Sequence, residues 1–319
     1  MNYEKIVKDN LVLKIRCGSH LFGTNTPESD LDLTGIFMPV PQMVYGFAKC
    51  ETHKEDVAAK DESGRNTADA VDCTYYEYRF FIKLAMENNP NILHLLFADD
   101  DNVLLDDPKN FGRDLLNHAH LFPHKGGHHR FVKYADGQRH KMRIKPENYA
   151  ALQGALEFLR LQDPHAVLGE FRDNRLFVGE PEKGKHLRVG DLYFEPGVYA
   201  KKAVRMIEER LSKATNRAAL FTKYGFDVKF ASNVIHLLKE GIDLMRTGRL
   251  VFPLPYAQEI VDIKQGKYEL EQIQEWADRL VEEARRAFEE TTLPAHPRIE
   301  EIEALVMSRV RAWQDRFPW

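Results

Sequence analysis

Apolar and polar positions alternate at the start of the chain and define its first elements. Leu11-Val12-Leu13-Lys14-Ile15-Arg16 reads as a strand, and Leu31-Asp32-Leu33-Thr34-Gly35-Ile36-Phe37 reads as a second. Residues 3–10 form a short helical lead-in, and Met38-Pro39-Val40-Pro41 ends the second strand. Ala70-Val71-Asp72-Cys73-Thr74-Tyr75 is a third β-favouring run, passing directly into helical spacing over 76–86. Asn88-Asn89-Pro90 stops that helix, because a residue before proline avoids the α region, and 91–97 resumes as a short buried element. The polar stretch 54–66 carries a Ser63-Gly64 turn signal and reads as a mobile loop or hairpin tip. Asp99, Asp100, Asp101, Asp106 and Asp107 read as a solvated turn.

Farther on, helical patterning dominates. Residues 111–162 are largely helical, and 172–197 is a Gly- and Pro-punctuated insertion with β-like scraps at 175–178 and 191–194. Helices are expected at 200–213, 227–246 with Asp227 as N-cap, 256–264, 269–290 and 298–316. The predicted fold is α+β. A small mixed sheet with helices occupies 1–109, and a mostly helical domain occupies 110–319 with the insertion near 172–197.

Composition changes this picture little. The 319 residues are 43% hydrophobic and 29% charged, as in an ordinary globular protein. No apolar run reaches the roughly 20 residues of a membrane span, and Met1-Asn2-Tyr3-Glu4-Lys5 does not resemble a secretory signal, so a cytoplasmic location without membrane contact is expected. Cys17, Cys50 and Cys73 lack metal-site or disulfide spacing and read as reduced thiols. A net charge of −4 excludes an indiscriminate polycation, so any nucleic-acid contact must be local.

The candidate chemistry lies between the first two strands. Cys17-Gly18-Ser19-His20-Leu21-Phe22-Gly23-Thr24 forms a Gly-Ser turn, and Asp30 and Asp32 follow at the second strand. Residues two apart in an extended chain share a face at roughly 6.6 Å, so both carboxylates can converge on divalent cations. Asp72, in the next β-like run, is the preferred third acid, with Asp69 the competitor. A strand antiparallel to the second would set Asp72 against the same metals.

Gly18-Ser19, Ser29-Asp30-Leu31-Asp32 and Asp72 resemble the active-site pattern of the DNA polymerase β nucleotidyltransferase superfamily. More narrowly, the chain is similar to the RNA-ligase-associated polymerase-like nucleotidyltransferases of bacteria and phages. Residues 89–93, 223–231, 236–238, 247–248 and 263–266 carry the closer likeness. The resemblance implies two magnesium ions, with manganese as a substitute, held by Asp30, Asp32 and Asp72. It assigns Gly18, Ser19 and Ser29 to a nucleoside triphosphate, Lys229 and His236 to a helix closing over it, and Tyr224 to the base. It also implies an RNA or DNA end as acceptor and a link to RNA ligation.

Lys229, Asn233 and His236 fall at helical spacing on one face, which taken alone reads as a solvated face. The basic tract Lys125, Arg130, Lys133, Arg139, Lys141, Arg143 and Lys145 holds one acid, Asp136, and interleaves Phe122, Phe131, Tyr134 and Tyr149. That composition suits phosphate contacts with base stacking, against the alternative of a solvated cationic helix face. Two other functional readings stand beside nucleic-acid modification. One is nucleotidyl transfer to a protein or small molecule, and the other is a catalytically inactive nucleotide-binding partner.

Overall fold

In this computed structural model, residues 2–27, 29–57, 59, 67–142, 146–179 and 186–317 are described; of these, 140–142, 146, 147, 149, 178, 179 and 212–223 are described by backbone alone. Helix α1 (Tyr3–Asp9) leads into β1 (Leu11–Arg16), and α2 (Gly18–Phe22) connects it to β2 (Leu31–Phe37). After α3 (Pro41–Val44) come β3 (Thr52–Val57) and β4 (Val71–Glu77). Helices α4 (Tyr78–Met86) and α5 (Pro90–Leu96) precede β5 (Val103–Asp106). The five strands form one mixed sheet in the order β3-β4-β2-β1-β5.

Both predicted strand ranges at the start are observed, but two strands escaped the pattern reading. Residues 54–57 of the expected loop belong to β3, and residues 58 and 60–66 lie outside the described residues. The extra strand changes the polarity of the next one. Strand β4 pairs antiparallel with β3 and therefore parallel with β2, the reverse of the expected antiparallel arrangement. The acidic stretch is likewise no simple turn: Val103–Asp106 pairs antiparallel with β1 as an edge strand. Its acids have structural partners. Asp106 receives Arg113 Nε at 3.1 Å, and Asp107 Oδ1 accepts the Gly112 N–H at 3.2 Å.

Strand alternation assigns the two faces of the sheet. Leu33, Phe37, Cys73 and Tyr75 pack with Val7 of α1 and Met43 of α3. The opposite face presents Asp32, Thr34, Asp72, Thr74 and Tyr76, which line one cavity. Helices α4 and α6 (Phe111–Asn117) support the sheet on β2, β4 and β1.

The chain then continues through α7 (Gly126–Met142), α8 (Pro146–Arg160), β6 (Val178–Gly179), β7 (Leu187–Val189), β8 (Leu192–Phe194) and α9 (Ala200–Tyr224). It ends with α10 (Val228–Thr247), α11 (Ala257–Lys264), α12 (Leu270–Glu290) and α13 (Ile299–Gln314). Two compact units result, and their boundary differs from the division expected at residue 110. One unit joins 1–139 to 229–319, and the other is 140–228. The first closes through α13, whose Arg309 Nε lies 2.6 Å from Asp114 Oδ2 and whose Trp313 sets its ring edge-on to Phe111. The second has its own core, with Leu152, Leu159, Val189, Phe194 and Ile207 among its buried residues. Its three short strands form a separate antiparallel sheet at the expected insertion.

Candidate active site

The parallel register sets Asp32 directly beside Asp72, and Thr34 beside Thr74. Neighbouring strands lie about 4.8 Å apart, so both carboxylates leave the same face at the same level. Asp30 precedes β2, where the Leu31 N–H bond to the Ala70 carbonyl, 3.0 Å, continues the pairing to the strand entrance. Asp69 lies in the turn before β4, outside the strand register that Asp72 occupies.

Above these acids sits α2, a short helix where a turn was expected. Gly18 has φ +58°, and a Cβ there would press on the Asp32 carboxylate, so conformation favours glycine and a larger residue would displace the Asp32 side chain. The Cys17 N–H donates to the Asp32 carbonyl at 2.9 Å, fixing the helix entrance on the strand. Gly23 closes α2 in the left-handed region, and the Thr24 N–H returns to the Ser19 carbonyl at 2.9 Å. Ser19 Oγ and His20 Nε2 are buried, with no hydrogen-bond partner among the described residues. Ser29 Oγ accepts the Thr26 N–H at 2.9 Å and so closes the 26–29 turn.

Gly18, Asp32, Thr34, Asp72, Tyr76, Asn91 and His94 are among the residues lining a cavity of about 350 Å³. Burial pushes the Asp32 carboxyl above its usual range. The negative charges of Asp30 and Asp72 push the same way, against Lys229 and His20. Among the described residues, no three histidine, cysteine or carboxylate groups stand close enough to form a coordination set. The mutual repulsion is nevertheless what a divalent cation relieves, and hard carboxylate oxygens are the donors magnesium takes. The Asp30, Asp32 and Asp72 set therefore fits the ion in chemistry, with side-chain adjustment required to hold it.

Lys229, at the start of α10, is exposed and within electrostatic reach of Asp32. His236 does not share that exposure. It is 7% exposed, and its Nδ1 meets Glu240 Oε2 at 3.2 Å, while His94 Nε2 meets the same oxygen at 2.9 Å. Burial raises the Glu240 carboxyl, but the two imidazoles outweigh it and hold the group at about 2. The cluster also supports α2: Phe22 packs on His94 and His236 at ring-centroid distances of 5.0 and 5.2 Å. The solvated face expected for 229–236 thus turns inward within two helical turns. Tyr224 is the last residue of α9 and belongs to the 140–228 unit, not the one that holds the carboxylates.

The basic tract is less available than its composition suggests. Arg130 pairs with Glu87 at 3.0 Å and Arg139 with Asp278 at 2.7 Å. Lys133 is exposed and Lys125 half-buried, Lys141 is described by backbone alone, and Arg143 and Lys145 lie outside the described residues. Phe122 and Phe131 are both 0% exposed, so these two rings serve the core and cannot stack on bases. Two further residues line the carboxylate cavity without any site assignment from the sequence: His94 and Tyr76. No local signal marks them, because each acquires its place through long-range packing.

A profile of the RNA repair pathway DNA polymerase beta family matches residues 2–162, which include the Gly-Ser segment and all three acids. The chain belongs to this family. A relative in this setting is an uncharacterized 38.9 kDa protein from the nrdC-mobD intergenic region of Enterobacteria phage T4. It is 26% identical over 310 residues, spanning 88% of this chain and 90% of the phage protein. A nucleotidyltransferase-like protein from Exiguobacterium sibiricum aligns over 91% of this chain and 72% of its own, with 8% identity and a TM-score of 0.27. Membership of the DNA polymerase beta family makes nucleotidyl transfer the general chemistry to weigh against the site.

Proposed function

We propose that this protein is a divalent-metal-dependent nucleotidyltransferase that moves a nucleoside monophosphate from a triphosphate to a hydroxyl at the end of an RNA strand. The acceptor oxygen forms a bond to the α-phosphorus, the bond to the β-phosphate bridge breaks, and pyrophosphate carries away the electron pair. The observation that carries this reading is the side-by-side placement of Asp32 and Asp72 beneath a left-handed backbone position, Gly18, that lies close against Asp32. Asp30, Asp32 and Asp72 would hold magnesium, which when bound lowers the pKa of the attacking hydroxyl and offsets phosphate charge. Asp72 is the acceptor for the hydroxyl proton. The Ser19 hydroxyl, buried with no hydrogen-bond partner among the described residues, is a donor for a phosphate oxygen.

The RNA acceptor is supported by the repair pathway in the family's name and by exposed Lys133 and half-buried Lys125 near the start of α7. Transfer to a protein or small-molecule hydroxyl is the second reading, favoured by the engagement of Arg130 and Arg139 with acids and by the burial of Phe122 and Phe131. Incubation with each α-labelled triphosphate, magnesium, and total RNA, single-stranded DNA or protein extract separates the two. Label on RNA that is lost in Asp72→Ala supports the first reading. Label confined to protein establishes the second, and label on nothing defeats both.

A further inference from the structure

The last residue of α11 stands on Thr24, just past the helix α2 that carries Ser19 and 240 positions away in sequence. Lys264 Nζ donates to Thr24 Oγ1 at 2.9 Å and approaches the Thr24 carbonyl at 3.4 Å. Thr24 is 1% exposed, and its N–H binds the Ser19 carbonyl, so one chain of hydrogen bonds runs from the ammonium to the Gly-Ser segment. A second clamp lies beside it: the Leu254 N–H donates to the Phe22 carbonyl at 3.1 Å, and Gly23 abuts Pro253.

The charge around this ammonium is unbalanced. Its hydrogen-bond partners are neutral oxygens, and Lys229 of α10 adds a repelling positive charge. On its own helix, Asp262 is engaged by Lys267 and Gln258, and Glu259 by Lys239. Among the described residues of the segment after α2, it meets the hydroxyl and carbonyl of Thr24. Burial, followed by the Lys229 charge, lowers Lys264 to about 8. Two ammonium groups that repel each other while one of them also faces Asp32 are stabilised together by a polyanion between them.

Building on the nucleotidyltransferase reading, we propose that Lys264 is a positioning residue for the triphosphate, holding its terminal phosphate together with Lys229 and tying it through Thr24 to the helix that carries Ser19. The contact makes affinity depend on pH. Protonated Lys264 binds, and affinity falls as pH rises through about 8, where the lysine loses its charge.

The test is calorimetric binding of each of the four ribonucleoside triphosphates, from pH 7.5 to 9.5, with calcium replacing magnesium to hold off turnover. In this range the terminal phosphate is fully ionised, so the protein supplies the titrating group. Wild-type affinity should decline above pH 8. Lys264→Arg should bind with a flat profile, because guanidinium stays charged. Lys264→Met should bind about ten- to a hundred-fold more weakly, also with a flat profile.

Should Lys264→Met be poorly folded, acylation of Lys264 in the wild-type protein, mapped by mass spectrometry, gives the same answer through protection by bound triphosphate. A flat wild-type profile, equal binding by Lys264→Met, unprotected Lys264 or no triphosphate binding overturns the proposal. Binding with the expected profile but no transfer to any acceptor sustains Lys264 and overturns the nucleotidyltransferase reading.

Discussion

At the scale of single residues, the site is held against its own electrostatics. Asp32 has its carboxyl pushed above the ordinary range by burial and by two like charges, so the folded protein binds its proton more tightly than the unfolded chain does. The stability this proton provides is present below the unfolded pKa and is lost as pH rises through the folded value. At neutral pH the ionised group is therefore a net cost. Asp32→Asn should raise the melting temperature of the metal-free protein at pH 7, with the gain shrinking toward pH 4 and disappearing in magnesium, while transfer activity is abolished. Thermal unfolding with and without the ion checks this. Gly18 gives a complementary case: Gly18→Ala should cost about 1–2 kcal/mol from φ +58° alone, with the clash against Asp32 Oδ2 added. Chemical denaturation read beside activity should show activity falling by more than stability explains.

At the scale of elements, the sequence was legible where strands are rich in buried apolar residues. Strands β1 and β2 are such runs, and their observed bounds match the pattern. Strand β3, Thr-His-Lys-Glu-Asp-Val, is an edge strand with no buried residue, so no hydrophobic alternation existed to find. That one omission inverted the direction assigned to β4, although the parallel register still sets Asp72 beside Asp32. Lys264 lies within the 263–266 likeness, but its contact with Thr24, like the place of His94, was illegible for a different reason. A lysine in the last turn of a helix ordinarily complements the helix dipole, and nothing local distinguishes it from one that reaches a distant loop. Helix α10 carries a further prediction. Glu240→Ala leaves His94 and His236 without their shared acceptor and opens a cavity under Phe22, and should cost about 3–5 kcal/mol in denaturant unfolding.

At the scale of the whole molecule, the matched region and the folded unit are not the same thing. The family profile covers residues 2–162, but the unit bearing the carboxylates is completed by 229–319. Leu254 and Lys264 hold the end of the helix that carries Ser19, Gln314 Nε2 donates to the Pro39 carbonyl at 2.6 Å, and Arg309 pairs with Asp114. A chain cut after residue 162 lacks all of these. It should show no cooperative unfolding transition by circular dichroism and no triphosphate binding, whereas the full chain shows both. Among the described residues, no helix is long and apolar enough to cross a membrane.

The two-part construction of that unit also sets an order of events during synthesis. Asp30, Asp32 and Asp72 leave the ribosome well before Lys229 and Lys264, with the whole 140–228 unit translated in between. At about 5–20 residues per second, the acids wait on the order of ten seconds for the lysines. During that interval the nascent carboxylates stand without α10 and α11, so a chain stalled or nicked near residue 228 would keep the acids and lose both lysines.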